Sequence, residues 1–175
     1  MTRSLTSALG AAFASLVLLA APAAAEPLPG GAGSLVETYQ DWVVACQAQE
    51  AVTNCVIRQV QSNTQNNQVV LTVEFRSIAG GKLEGALLLP FGLALAKGVT
   101  LKIDEAPVGG LAFSTCVPQG CLVPMSLDPP QVAKLKTSAA LTIGASAVNQ
   151  TEPVALKVSL KGFPAAWNRV AELTK

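Results

Sequence analysis

The chain contains no histidine. That absence removes the commonest general base, the commonest metal ligand and every Ser-His-Asp or Cys-His catalytic pair. Charge is scarce, at 13% of the 175 residues. The 12 Lys and Arg are matched by 11 Asp and Glu, so no cationic surplus exists to neutralise phosphates. This argues against a nucleic-acid binder. Aromatic side chains are few: five Phe, two Trp and one Tyr. An eight-stranded outer-membrane barrel needs aromatic girdles at both interfaces, and these rings are too few and too scattered for that. Beyond the leader, there is no G-x-S-x-G elbow, P-loop, S-x-x-K, H-E-x-x-H or EF-hand loop. No cofactor is expected. What is present is apolar, 50% of the chain, at a length that suits one domain.

The N-terminus reads as an export signal. Arg3 is the single charge of a short n-region. From Leu9 to Ala21 the only polar residue is Ser15, and Pro22-Ala23-Ala24-Ala25 forms an A-x-A cleavage site before Glu26. Residues 1–25 therefore match a secretory signal peptide. The apolar run is shorter than the roughly 20 residues of a spanning helix. No later segment is long and apolar enough to span either, so no transmembrane helix is expected in the mature chain. Removing Arg3 from the 12 basic residues leaves 11, equal to the 11 acidic ones.

Export makes the cysteines legible. Cys46, Cys55, Cys116 and Cys121 form an even set, which in an oxidising compartment reads as two disulfides. Four cysteines allow three connectivities. The local pairs Cys46–Cys55 and Cys116–Cys121 are favoured, because each brackets a polar, turn-like segment. A four-cysteine zinc site is disfavoured, since the spacings are C-x8-C and C-x4-C rather than two short knuckles. The C-x-x-C of a redox pair is also missing.

Residues 26–38 read as a flexible lead-in, with Pro27, Pro29, Gly30, Gly31 and Gly33 near its start. One domain is expected over 39–175. Short runs of Val, Ile and Leu, separated by Gly, Pro, Asn or Asp, are the dominant signal there. They place strands at Asp41–Cys46, Cys55–Ser62, Val69–Ser77, Leu83–Leu89, Val99–Asp104, Leu111–Cys116, Cys121–Leu127, Leu141–Ala145 and Val154–Leu160. Val69, Leu71, Val73 and Phe75 alternate with Val70, Thr72, Glu74 and Arg76, the period of a sheet buried on one face. Asp128 before Pro129-Pro130 caps a short helix, and Ala166, Val170 and Leu173 give a terminal helix their spacing. Gln61–Gln68 reads as a solvated hairpin loop, and Gly162-Phe163-Pro164 as the bend from last strand to helix. The expected fold is all-β: a compact antiparallel β-sandwich, or a small barrel-like sandwich, with one or two short helices.

Candidate chemistry is thin. A carboxylate-based hydrolase would need two of Asp41, Glu50, Glu74, Glu84, Asp104, Glu105 and Asp128 to converge. Asp104 and Glu105 are adjacent, so on a strand they would diverge, and a turn before Ala106-Pro107 suits them better. Asp41 reads as a strand start. Tyr39 and Trp42 read as core aromatics at the first strand rather than an exposed patch. Lys157 and Lys161 read as solvated or edge-protecting charges.

The order of turns and cysteines resembles the invasion-associated locus B family of exported bacterial proteins. The matching segments are Asp41-Trp42 with Val43-Val44-Ala45-Cys46, then Cys55-Val56-Ile57-Arg58-Gln59. Next come Leu89-Pro90-Phe91-Gly92 and, through Leu95 and Lys97-Gly98-Val99, Leu101-Lys102-Ile103-Asp104. Phe113-Ser114-Thr115-Cys116 with Gly120-Cys121, and Val158-Ser159-Leu160-Lys161-Gly162-Phe163, complete the series. The resemblance runs from about Tyr39 to Trp167. It implies a compact all-β fold with two local disulfides, in the periplasm or associated with the outer membrane, and in some pathogens a link to entry into host cells. It carries over no catalytic residue.

Together these readings point to an exported, non-enzymatic envelope protein, periplasmic, outer-membrane-associated or secreted, that binds another envelope or host protein. Edge strands offer such a protein a binding mode by strand addition. Two alternatives stand beside it. One is a carrier of a small apolar ligand between its sheets, the other the carboxylate-based envelope hydrolase.

Overall fold

The computed structural model describes residues 28–49 and 52–174. The signal-peptide reading, over 1–25, falls outside them. Strands are β1 (Ser34–Tyr39), β2 (Trp42–Gln49), β3 (Val52–Ser62), β4 (Val69–Ile78), β5 (Lys82–Leu89), β6 (Val99–Ile103), β7 (Ala106–Leu111), β8 (Thr115–Val117), β9 (Gly120–Leu127), β10 (Ala140–Ser146) and β11 (Pro153–Ser159). Helices are α1 (Pro129–Thr137) and α2 (Phe163–Leu173). The strands form two antiparallel sheets. One is seven-stranded, in the order β1-β2-β3-β4-β5-β9-β8, and the other four-stranded, in the order β11-β10-β6-β7. The expected all-β sandwich with two short helices is the fold observed.

One hydrophobic core lies between the sheets and under the helices. In β4, Leu71, Val73 and Phe75 are fully buried while Glu74 and Arg76 face outward, as the alternation requires. Trp42, Phe75, Phe163 and Trp167 form a chain of ring contacts, with centroids 5.2–5.9 Å apart between successive rings of the series Phe75–Trp42–Phe163–Trp167. Such geometry adds to simple area burial. Gly85 leaves room for this cluster, because a Cβ there would strike the Phe75 ring and the Glu74 carbonyl.

Both helices end where their local chemistry dictates. The Asp128 carboxylate accepts from the Gln131 backbone N–H, and the Gln131 side chain accepts from the Asp128 N–H, both at 3.0 Å. This reciprocal cap, with prolines in the first turn, starts α1. Gly162 precedes α2 at φ 85°, and a side chain there would collide with the Tyr39 carbonyl. The bend expected at Gly162-Phe163-Pro164 is thus enforced from both sides.

Several local readings differ from the structure. The stretch after Cys46, read as turn-like, continues as β2 through Gln49, paired with β3. Ser34–Tyr39 is a paired strand, although most of it lies in the stretch 26–38 that reads as a lead-in. Its alternation is masked by Glu37, which points inward to meet Arg169 on α2. Ala106–Leu111 is a strand despite Pro107, Gly109 and Gly110, because it lies at a sheet edge with a register shift against β6. Leu111–Cys116 is not continuous: the chain breaks off pairing after Leu111 and resumes in the other sheet at Thr115.

Candidate binding face

The cysteines form the two local bridges. Cys46 lies directly opposite Cys55 across β2 and β3, with Cα atoms 4.1 Å apart. Cys116 lies opposite Cys121 across β8 and β9, at 3.9 Å. Each bridge links neighbours that the hairpin has already brought together. The first is buried at the core side, whereas Cys116 is exposed.

Trp42 and Tyr39 are not a surface patch. Trp42 is fully buried, and its Nε1–H donates to the Ser159 carbonyl at 2.8 Å. Gln59 is the buried polar residue among the described ones, and its Nε2 donates to the same carbonyl at 2.9 Å. Its Oε1 accepts from Gln61, which also donates to the Lys157 carbonyl. These side chains stitch the free edge of β11 to β2 and β3, so the buried side-chain amide there is satisfied. The Ser159 hydroxyl donates to Asp41, which places Asp41 in this seam rather than in a cleft. Sequence reasoning singled out Gln59 only through the family pattern; its partner lies 100 residues away.

Tyr39 closes a second clasp. Its hydroxyl donates to Glu37 at 2.7 Å, and Arg169 donates to both Glu37 oxygens at 2.8 and 2.9 Å. The hydrogen bonds from Arg169 and Tyr39 hold the Glu37 carboxyl below its ordinary range. Burial, then the neighbouring carboxylate, push the Tyr39 phenol up. The pair ties β1 to α2.

The feature left open is the outer face of the seven-stranded sheet. Core, helices and the smaller sheet cover its other side. Register places Val43, Arg58, Glu74, Ala86 and Pro124 in one row across five strands. Arg76, Glu84 and Ser126 form part of the next. Arg58 donates to the Glu74 Oε2 through Nη2 at 2.6 Å and Nε at 3.0 Å, and Arg76 stands 3.9 Å from Oε1. Two shallow hollows adjoin at this cluster. One, of about 660 Å³, is lined by Glu84, Ala86, Pro124 and Ser126, with Leu111 of β7 at its rim. The other, of about 610 Å³, is lined by Ala45, Gln47, Gln49, Asn54 and Val56. Glu74 and Arg76 belong to both. The face offers a central arginine–carboxylate group, with Ala45, Val56, Ala86 and Pro124 as small apolar neighbours and Gln47, Gln49, Asn54, Glu84 and Ser126 as polar ones.

The carboxylates are mostly dispersed. Glu50 lies outside the described residues. Asp104 closes the turn between β6 and β7 at φ 51°. Its carboxyl is held low by the Ser138 hydroxyl and the Ala139 and Ala140 N–H groups. Asp128 is a helix cap, and Glu105 sits over the smaller sheet beside Lys102 and Lys157. Glu74 and Glu84 are the two that share a hollow, and Glu74 is occupied by arginine. Among the described residues no group of three metal-ligating side chains assembles, and no helix is long and apolar enough to cross a membrane. These hollows lie on outer faces, and among the described residues buried side chains from both sheets pack into one cluster between them.

Comparison with known proteins gives concordant results. The family model of the invasion associated locus B (IalB) protein matches residues 42–171. An invasion protein B homolog of Brucella abortus is 54% identical over 168 residues, 96% of this chain and 97% of the relative. Invasion protein B of Bartonella bacilliformis is 35% identical over 172 residues, 94% of this chain and 90% of the relative. The crystal structure of invasion associated protein b from Bartonella henselae superposes with a TM-score of 0.74 at 36% identity, covering 80% of this chain and 97% of that one. With the matched residues spanning both sheets and both bridges, the chain belongs to the invasion-associated locus B family.

Proposed function

We propose that this chain is an exported, non-enzymatic protein of the cell envelope that binds a protein partner through the outer face of its seven-stranded sheet. The observation that carries the reading is the uncovered row around Arg58, Glu74 and Arg76, with its two adjoining hollows. A mixed face of this kind, with arginine at the centre and both small apolar and amide side chains around it, is compatible with the make-up of protein interfaces. The leader-like residues 1–25 and the two bridges fit an oxidising compartment outside the cytoplasm. Relatives named for invasion make an envelope or host protein the natural partner class.

The test is a cross-linking pull-down on intact cells with the exported protein as bait, with protease shaving of the same cells to report exposure. One dominant partner, lost in Arg58→Ala and retained in Lys157→Ala on the other sheet, is the expected outcome. Capture that is indifferent to Arg58 and Glu74 removes this face from the function.

A carboxylate-based hydrolase is a second reading, favoured by Glu74 and Glu84 sharing one hollow. The arginines on Glu74 weigh against it. Hydrolysis of envelope polysaccharide that disappears in Glu84→Gln would reverse the order of the two.

A further inference from the structure

Each sheet has two edge strands, and an edge with free N–H and C=O groups is a template for pairing unless it is guarded. Three of the four edges are guarded. On β11 the carbonyls of Lys157 and Ser159 are capped by Gln61, Gln59 and Trp42. On β7, Pro107 and a register shift interrupt the edge. On β8 the strand is three residues long and pinned by the Cys116–Cys121 bridge.

The fourth edge, β1, has six residues with no proline, lysine or bulge. An inward-pointing charge also guards an edge when it is bare. Here Glu37 points inward, but Arg169 neutralises it through both carboxylate oxygens. The free groups can be assigned. The Gly33 carbonyl accepts from the Ala48 N–H, so Gly33, Leu35, Glu37 and Tyr39 turn their backbone groups toward β2. Those of Ser34, Val36 and Thr38 therefore face away from the sheet. All three side chains are uncharged, and Val36, in the middle, is 70% exposed.

We infer that β1 pairs with β1 of a second copy of this chain, antiparallel, about a two-fold axis at Val36. This inference goes beyond the proposed partner binding and does not depend on it. The axis sets Val36 opposite Val36, and Ser34 opposite Thr38, on one face. In this register each of Ser34, Val36 and Thr38 both donates and accepts a backbone hydrogen bond across the axis. Opposed valines and Ser–Thr pairs are favourable neighbours across strands, and no like charges meet. On the other face Leu35 lies opposite Glu37, whose charge is already taken. The strand is thus complementary to itself, which is what a closed two-fold interface requires. The result is one sheet running through both copies, with their outer faces side by side.

The test is the mass of the purified protein in solution by light scattering at high micromolar concentration. Wild type is expected at the mass of two chains. Val36→Lys sets two lysines against each other on the axis and should give a single chain. Val36→Thr, which keeps the strand preference, should remain paired. Val60→Lys is the control, since Val60 is exposed in the middle of the same sheet, away from the edge. Far-ultraviolet circular dichroism checks that every variant folds. A wild type that is monomeric, including one that takes up an extended segment of another protein instead, overturns the inference. So does a dimer that survives Val36→Lys.

Discussion

The two faces of the seven-stranded sheet share every strand, yet they obey different rules. On the inner face Trp42, Val44, Ile57, Leu71, Val73 and Phe75 are without solvent contact. On the outer face the intervening residues include Val43, Val56, Arg58, Thr72, Glu74 and Arg76, all at least partly exposed. Volume and shape select the first set, because a close-packed interior registers even a single methylene. Nothing in the stability of the chain demands an arginine–glutamate pair in the middle of the second. The proposed binding falls on the face whose residues the fold does not require, and that asymmetry can be tested.

The largest break comes from the inner face. Phe75→Ala removes the ring that contacts both Trp42 and Phe163. A loss of about 3–5 kcal/mol in a denaturant titration is expected. Next is the bridge at the edge of the sheet. Replacing Cys116 and Cys121 together by Ser should cost roughly 2–3 kcal/mol on the chain-entropy account. Reductant should lower the wild-type melting temperature but leave the doubly substituted bridge site with only the Cys46–Cys55 contribution to lose.

The clasp between β1 and α2 comes third. Glu37 is held below its ordinary range in the folded protein. Its contribution is therefore complete at neutral pH and is lost as pH falls below about 4.3, through the lowered folded value. Arg169→Ala should lower stability at neutral pH and make the acid limb of a stability–pH curve shallower. The smallest effect sharpens the comparison most. Arg58→Ala breaks an exposed ion pair and should move stability by less than about 1 kcal/mol. The same substitution should abolish partner capture. A large loss of stability would instead place Arg58 with the structural residues.

Much of this architecture was legible from local pattern. The alternation in β4, the Asp128 cap and the bend at Gly162 are each written within a few residues. So were the two bridges, since each spans one hairpin. Less legible were features whose cause lies far away. Strand β1 hid behind Glu37, an inward charge made tolerable by Arg169, 132 positions later. Strand β7 hid behind Pro107, Gly109 and Gly110, which read as turn residues until the strand is known to be an edge. The outer-face cluster needs the register of β3 on β4, which aligns Arg58 with Glu74 across 16 positions of sequence. Alternation says that both residues point outward, but not that they meet.

The chain order of the larger sheet has a kinetic consequence. From β2 to β5 every strand pairs with the one immediately before it. Such a meander is assembled from short loop closures and needs no distant segment to begin. The chain then leaves to make β6 and β7 of the other sheet before β9 returns to pair with β5. Oxidation of Cys46 with Cys55 requires only β2 and β3, and that of Cys116 with Cys121 only β8 and β9. Neither bridge waits for the sandwich to close. Each correct pairing thus needs only strands that are neighbours in sequence, whereas either mispaired connectivity would have to join cysteines at least 61 positions apart.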